Sequence, residues 1–131
     1  MRLAIEPINR YETDLLVTFD ETLEVIDASG APHLGILADT FHMNIEESVI
    51  TDALATAAPR LWHVHVADSN RRAPGLGHLD FNRVLATLRE IDYQGYLSAA
   101  VLPHPDPQES ARQTARHLRA LLDVSARCPS G

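Results

Sequence analysis

The stretch "HLGILADTFHM", residues 33–43, decides the fold because it joins an apolar run to a charged turn. The run at residues 33–38 is typical of a strand buried in a parallel sheet. It ends at Asp39, although charged side chains are rarely buried without a partner. Two interpretations of Asp39 stay open: it caps the helix that follows, or it holds a bound group.

Three further apolar runs repeat this pattern, at residues 2–5, 61–67 and 96–102. A helical pattern follows each run, so the chain reads βαβαβαβα, which favours a parallel sheet with right-handed crossovers. Either a small open sheet or half of a (β/α)8 barrel fits this order. A complete barrel needs roughly 250 residues, and this chain has 131.

Helix-boundary residues support this division of the chain. Thr18 and Glu21 form a capping-box pattern with Gly30 as the stop, and Asp106 precedes the last helix. We expect helices at residues 48–58 and from about Asp80. The buried faces are predicted to contain Val49, Ile50, Ala53, Leu54 and Ala57; then Phe81, Val84, Leu85, Leu88 and Ile91; and, in the last helix, Ala111, Ala115, Leu118 and Leu121. One domain at residues 1–124 is expected, with a C-terminal tail at 125–131.

The composition argues against a nucleic-acid-binding, a disulfide-bonded or a membrane protein. The net charge is −7, all 11 basic residues are arginines and no basic run occurs, which disfavours nucleic acid as a partner. The single cysteine, Cys128, cannot form an internal disulfide, which favours a reducing compartment. No segment resembles a membrane span or a signal peptide. We therefore expect a cytoplasmic protein without a membrane partner.

Three polar residues stand at the ends of the first three predicted strands: Glu6, Asp39 and His65. Because the carboxyl ends of parallel strands share one edge of the sheet, these side chains are expected to converge. Two carboxylates and an imidazole suit a divalent cation such as Mn²⁺, Mg²⁺ or Co²⁺. The alternatives are a plain helix cap for Asp39 and a solvated Glu6, and a structural role is favoured for His63, which shares a strand face with His65.

The segments "IEPINRYET", "ADTFHMNIEE" and "HVHVADSNRRAPGLGHLDF" resemble the sugar phosphate isomerase/epimerase family with the xylose isomerase-like TIM barrel. Within that family they are most similar to the D-tagatose/D-psicose 3-epimerases. The resemblance covers about residues 3–122. It implies the C-terminal half of the barrel, which is its last four βα units.

The resemblance also implies roles for single residues. Glu6, Asp39 and His65 match metal ligands, and Glu6 matches one of two catalytic carboxylates. The residues that match sugar-binding positions are Glu12, His42 and Arg71. Ala100 stands where the second carboxylate, also the fourth metal ligand, is expected. A methyl group can neither bind a metal nor accept a proton.

The function implied is a divalent-metal-dependent ketose or sugar phosphate isomerase or 3-epimerase, which acts by proton abstraction through an enediolate. Ala100 and the absence of the first four βα units are expected to impair it. The alternative is a non-catalytic half-barrel that binds a sugar or metal, or pairs with another half-barrel. A nuclease of the endonuclease IV type is disfavoured by the acidic charge and the sugar-type motifs. The expected partners are a small sugar and either a second copy of the chain or a complementary N-terminal half-barrel.

Overall fold

The computed structural model describes residues 1–126. The four strands in this part of the chain all lie within residues 1–99. The strands are β1 (Leu3–Ile5), β2 (Leu34–Asp39), β3 (Leu61–Val66) and β4 (Leu97–Ala99). The helices are α1 (Phe19–Ser29), α2 (Thr40–Glu46), α3 (Ile50–Ala57), α4 (Phe81–Glu90) and α5 (Pro107–Ala126), with a 3-10 turn at Ala58–Arg60. No helix in this part of the chain has both the length and the apolar character that crossing a membrane requires.

The four strands are parallel and lie in chain order, β1-β2-β3-β4. A doubly wound open sheet reverses its strand order at a switch point, whereas a (β/α)8 barrel adds each strand beside the previous one. The observed order is that of a barrel segment. The predicted α/β fold with four βα units and a parallel sheet is therefore confirmed.

The core lies between one face of the sheet and the helices. Ile36 and Ala38 of β2 and Val64 and Val66 of β3 alternate along their strands, and all four are fully buried. They join the helix residues Phe19, Ile26, Leu54, Phe81, Val84, Leu85, Leu88 and Leu118 in one cluster. Burying each large apolar side chain contributes about 1.5–3 kcal/mol. The opposite face, with Leu37, His63 and His65, is only half-buried.

Most helix boundaries form as predicted. Thr18 accepts a hydrogen bond from the Glu21 N–H, and Gly30 ends α1 with a φ of 64°. The segment at residues 48–58 is the exception, since it divides into α3 and the 3-10 turn. Val49 is 44% exposed because it occupies the cap position before α3.

The buried face of α5 is rotated from the predicted one. Ala111 is exposed, and the prediction that it is buried is wrong. Ser110, Thr114 and Leu118 form the buried stripe instead. The two hydroxyls can be buried because each donates to a backbone carbonyl, Ser110 to His104 (3.2 Å) and Thr114 to Ser110 (2.9 Å).

The edge strands are short, and β4 covers only part of the run predicted at residues 96–102. Tyr96 is 81% and Leu102 54% exposed. The Ala100 N–H still donates to the Val66 carbonyl (3.2 Å), but the Leu102 N–H donates to the Arg71 carbonyl (2.7 Å), so the chain turns away from the sheet. At the C-terminus, residues 125 and 126 continue α5, and the rest of the predicted tail, with Cys128, lies outside the described residues.

Candidate functional site

Three predicted ligands meet at the carboxyl ends of β1, β2 and β3. Glu6 directly follows β1, Asp39 ends β2, and His65 pairs with Asp39 across the sheet. Their ligand atoms all lie within 4.8 Å of one another. His65 Nδ1 is 3.2 Å from Glu6 Oε1 and 3.8 Å from Asp39 Oδ2. No second group of three such side chains comes together in the described part of the chain.

Of the two interpretations of Asp39, the helix cap is confirmed, and the bound group stays a prediction. Its Oδ1 accepts the Phe41 N–H (2.9 Å) and caps α2. Its Oδ2 is buried and has no hydrogen-bond partner, although His65 lies nearby. Burial raises the pKa of the Asp39 carboxyl, and the Phe41 N–H, His42 and Arg71 act against that rise. One oxygen therefore caps the start of α2, and the other is directed at the cluster.

The donor set of this cluster fits a divalent cation. A buried oxygen without a partner costs about 1–3 kcal/mol, and a cation next to Asp39 Oδ2 would remove that cost. Two carboxylates with one imidazole match the ligand preferences of Mn²⁺, Mg²⁺ and Co²⁺ better than those of a thiolate-bound zinc. Glu6 and His65 are half-buried, so the cluster is open to the side that faces solvent.

The predicted sugar-binding residues form a second group beside the first. His42 Nε2 lies 3.1 Å from Arg71 Nη1, and His42 Nδ1 lies 2.8 Å from Asn9 Nδ2. Asn9 in turn donates to Glu12 Oε1 (3.0 Å). Asn9 thus links Glu12 to His42, and Arg71 lies against the other ring nitrogen of His42. The sequence analysis missed Asn9, which stands in a loop where no strand end or helical spacing marks it.

Asp68 is a second buried polar residue near the site that could not be predicted from the sequence. It is fully buried, and it accepts hydrogen bonds from the backbone N–H groups of Ser69 (2.8 Å), Gly75 (2.8 Å) and Leu79 (3.0 Å). Burial alone would raise the pKa of Asp68, but these backbone donors, with that of Gly77, outweigh it and lower the pKa. The carboxylate therefore organises the loop that carries Arg71. The signal in the sequence is an acidic residue two positions beyond the end of β3.

Two contacts hold Arg71 in place. Its backbone has a φ of 58°, in the left-handed region, and its carbonyl accepts the Leu102 N–H (2.7 Å). Its guanidinium lies 4.7 Å from the centre of the Phe41 ring. Cation–π contacts of this kind contribute about 0.5–1 kcal/mol at exposed sites. The side chain is thereby directed across α2 toward His42.

Ala100 lies on the same sheet face as the cluster. Ser98 pairs with His65, and residues two apart on a strand share a face, so Ala100 follows Ser98 on the side of His65. Ser98 itself is 2.8 Å from His63 Nε2, which supports a structural role for His63 in joining β3 to β4. Burial, with the neighbouring His65, lowers the pKa of His63.

Comparison with known proteins agrees with this geometry. The family model described as xylose isomerase-like TIM barrel matches residues 1–121. A D-psicose 3-epimerase of Enterocloster bolteae is 44% identical over 93 residues, which is 71% of this chain and 31% of that protein. The sequence relatives are therefore sugar epimerases, enzymes of the isomerase class.

Solved structures give the same result. The apo crystal structure of 3-keto-D-glucoside 4-epimerase from E. coli superposes with a TM-score of 0.86 and 35% identity, over 92% of this chain and 46% of that one. A D-psicose 3-epimerase crystallised in the presence of D-fructose superposes with a TM-score of 0.75 and 38% identity, over 79% and 36%. The chain spans 31% to 46% of the length of these relatives. It belongs to the xylose isomerase-like TIM barrel family, and its four βα units form half of such a barrel.

Proposed function

We propose that this chain is the metal- and sugar-binding half of a ketose epimerase that acts at C3 by proton abstraction through an enediolate. The observation that carries the proposal is the buried, unpartnered Oδ2 of Asp39, which faces His65 and Glu6. A carboxylate oxygen left in this state is unfavourable in a purely structural cluster. It is expected where the protein holds a cation.

Glu6, Asp39 and His65 would hold the cation, which is Mn²⁺, Mg²⁺ or Co²⁺ on the chemistry of the donors. When bound, a divalent cation acts as a Lewis acid that stabilises negative charge developing on the substrate's oxygens. The Phe41 N–H fixes the orientation of Asp39, so the ligand oxygen stays directed at the cluster. His63 supports the ring of His65 by an edge contact with centres 5.2 Å apart.

Glu6 is the proton-transfer group of this half. Epimerisation removes a proton from one face of the carbon next to the carbonyl and returns a proton to the other face. Glu6 serves one face, and Ala100, at the position of the opposite carboxylate, has no group that can serve the other. We therefore propose that the chain exchanges a proton on one face but is impaired in epimerisation. General acid–base catalysis contributes typically about 10²–10⁴-fold, and the expected impairment is of that order.

Glu12, His42 and Arg71 would bind the sugar oxygens. Arg71 brings several N–H donors and Glu12 a carboxylate acceptor, the pair of types that hydroxyl groups need. A ketose is proposed as substrate because a relative acts on D-psicose and a related structure was obtained with D-fructose. Reaction at C3 is preferred because that D-psicose 3-epimerase is 44% identical, against 35% for the 4-epimerase.

A second candidate is a non-catalytic half-barrel that binds a sugar or metal and pairs with another half. Ala100 and the edge strands favour it. Leu3 on β1 is 46% exposed, and both β1 and β4 end the sheet with three residues each. The unpaired N–H and C=O groups along such edges offer a place where another chain can pair. The partner would be a second copy or a complementary N-terminal half-barrel.

Calorimetric titration with Mn²⁺ tests the proposed cation site. Glu6→Gln removes the charge of one ligand and His65→Ala removes another ligand, and each is expected to weaken Mn²⁺ binding by tenfold or more, about 1.4 kcal/mol or greater. His33→Ala is the matched control, since His33 is exposed and lies before β2. Unchanged Mn²⁺ affinity in both variants would refute the site. Affinity for D-psicose with no solvent exchange at its carbon-bound protons would favour the non-catalytic candidate.

A further inference from the structure

Asn9 is a buried polar residue that the proposed reaction does not use. Its side chain is 1% exposed. Its Oδ1 accepts the Tyr11 backbone N–H (3.0 Å), and its Nδ2 lies 3.0 Å from Glu12 Oε1 and 2.8 Å from His42 Nδ1. A side-chain amide offers two N–H donors and an accepting oxygen. Every one of these groups has a partner here.

The neighbours of Asn9 determine which way its amide points. Reversing the amide would put its oxygen against the Glu12 carboxylate and its NH₂ against the Tyr11 N–H. Both contacts would be repulsive, because the first pairs two acceptors and the second pairs two donors. The NH₂ group therefore faces His42.

His42 Nδ1 receives a second donor from the same residue. The backbone N–H of Asn9 points at Nδ1 from 3.2 Å. A backbone N–H can only donate, so Nδ1 acts as an acceptor and carries no proton. In a neutral imidazole the proton then resides on the other nitrogen, and His42 has the Nε2–H tautomer.

This tautomer changes the meaning of the contact with Arg71. Arg71 Nη1 lies 3.1 Å from His42 Nε2. A guanidinium has no acceptor, so two donors meet at this point, and they form no hydrogen bond with each other. Arg71 is held in this position because its guanidinium packs on the Phe41 ring and its carbonyl accepts the Leu102 N–H. A ligand atom that satisfies both donors has to be an acceptor.

We infer that Asn9 is a positioning residue that holds His42 in the Nε2–H tautomer, so that His42 and Arg71 present two donors to one acceptor oxygen of the sugar. The identity of the ligand rests on the proposed function, whereas the tautomer requires neither metal nor sugar. The arrangement selects a hydroxyl or carbonyl oxygen at this position. It rejects an ammonium group of an amino sugar, which has only donors.

Long-range ¹H–¹⁵N NMR of the full chain reads the tautomer directly, because protonated and unprotonated ring nitrogens have separate shifts. The spectrum is recorded without metal near pH 8.5, well above the ordinary histidine pKa of about 6.5. His42→Gln assigns the signals by their loss. We expect the Nε2–H pattern for His42. An Nδ1–H pattern would overturn the inference.

Substitution of Asn9 supplies the second readout. Asn9→Asp puts a carboxylate where the amide donates, while the backbone N–H stays. Because a hydrogen bond to a charged acceptor is stronger than one from a neutral donor, the variant is expected to shift His42 toward the Nδ1–H tautomer. Asn9→Ala leaves the backbone donor, and the Nε2–H pattern should persist. Asn82→Asp, on the exposed side of α4, adds the same charge elsewhere and should change nothing. An Asn9→Asp chain that keeps Nε2–H contradicts the positioning role; if that chain does not fold, the wild-type and Asn9→Ala spectra decide.

Sugar binding provides the functional measurement. With Mg²⁺ present, Asn9→Asp is expected to weaken D-psicose binding about tenfold, the effect of one lost hydrogen bond. Unaltered D-psicose affinity in a chain whose tautomer has changed would overturn the link between Asn9 and the ligand. Absence of D-psicose binding in the wild type, together with the Nε2–H pattern, would count against the proposed function and leave the tautomer assignment standing.

Discussion

Replacement of Asp39 by asparagine separates the two roles of this side chain. Asparagine caps helices about as well as aspartate, so the bond from the Phe41 N–H to the side-chain oxygen is kept. The change removes the charge and turns the unpartnered Oδ2 into an amide nitrogen. We therefore expect Asp39→Asn to act on the cation site while α2 stays capped.

The magnitude follows from the environment of Oδ2. A buried unpaired oxygen costs about 1–3 kcal/mol. The NH₂ group that replaces it can donate to the nearby Glu6 carboxylate or to His65, so, taking the lower end, the metal-free variant should be about 1 kcal/mol more stable than the wild type. Saturation with Mn²⁺ at a hundred times its dissociation constant stabilises a binding protein by about 2.7 kcal/mol. The variant should gain little. The order of stability therefore reverses, and the wild type leads by roughly 1.7 kcal/mol with Mn²⁺.

Thermal unfolding followed by circular dichroism, with EDTA or with Mn²⁺, measures both conditions. Asp39→Ala loses the cap as well, about 1 kcal/mol, and should lie close to the wild type without metal. Asp106→Asn is the matched control, since Asp106 caps the exposed start of α5 by accepting the Glu109 N–H (2.8 Å). It should move less than 0.5 kcal/mol in either condition. A variant Asp39→Asn that is less stable without metal and equally stabilised by Mn²⁺ would refute the reasoning.

Three other predictions follow from the same structure. Asp68→Asn should destabilise the chain by about 2 kcal/mol at neutral pH. Because folding lowers the pKa of Asp68, the wild type keeps this advantage above the unfolded pKa near 3.9 and loses it as the pH falls further. Denaturant titrations that show a constant difference in stability down to pH 2 would contradict the carboxylate's role. The isolated chain should self-associate through the edge strands β1 and β4, where Leu3 of β1 is 46% exposed, and sedimentation of a stable monomer at micromolar concentration would count against this. Ala100→Glu mixed with a supplied N-terminal half-barrel should epimerise D-psicose, whereas the unmodified chain with the same half should only exchange one carbon-bound proton with solvent; equal behaviour of the two mixtures would disprove the role given to residue 100.

The sheet could be predicted from the sequence because two separate sequence signals mark each strand. Every apolar run ends at a polar residue or a turn, and the helix after it begins at a recognisable cap, such as Thr18 for α1 or Asp106 for α5. The three predicted ligand positions follow from the same rule, since parallel strands bring their carboxyl ends together. The strand order places them at one edge of the sheet, and the side-chain conformations bring their ligand atoms within 4.8 Å.

The residues that escaped prediction share a different property. Ser110, Thr114, Asn9 and Asp68 are polar and buried, and each is satisfied by a backbone group or by a residue distant in the chain. Hydrophobic periodicity assigns such residues to the surface. Only the three-dimensional arrangement shows that their hydrogen bonds are made. The exposed Ala111 is the converse case, an apolar residue with the right spacing on the wrong side of α5.

The affinity of Ala100→Glu for Mn²⁺ tests the central claim most directly, because it asks the chain to gain a property. Ala100 follows Ser98 on the face of His65, and its N–H still donates to the Val66 carbonyl, so a carboxylate there should reach the cation site proposed at Glu6, Asp39 and His65. Calorimetric titration should show one Mn²⁺ per chain, bound at least about tenfold more tightly than by the wild type, a gain of about 1.4 kcal/mol. Equal affinity of the two chains for Mn²⁺ would contradict the account.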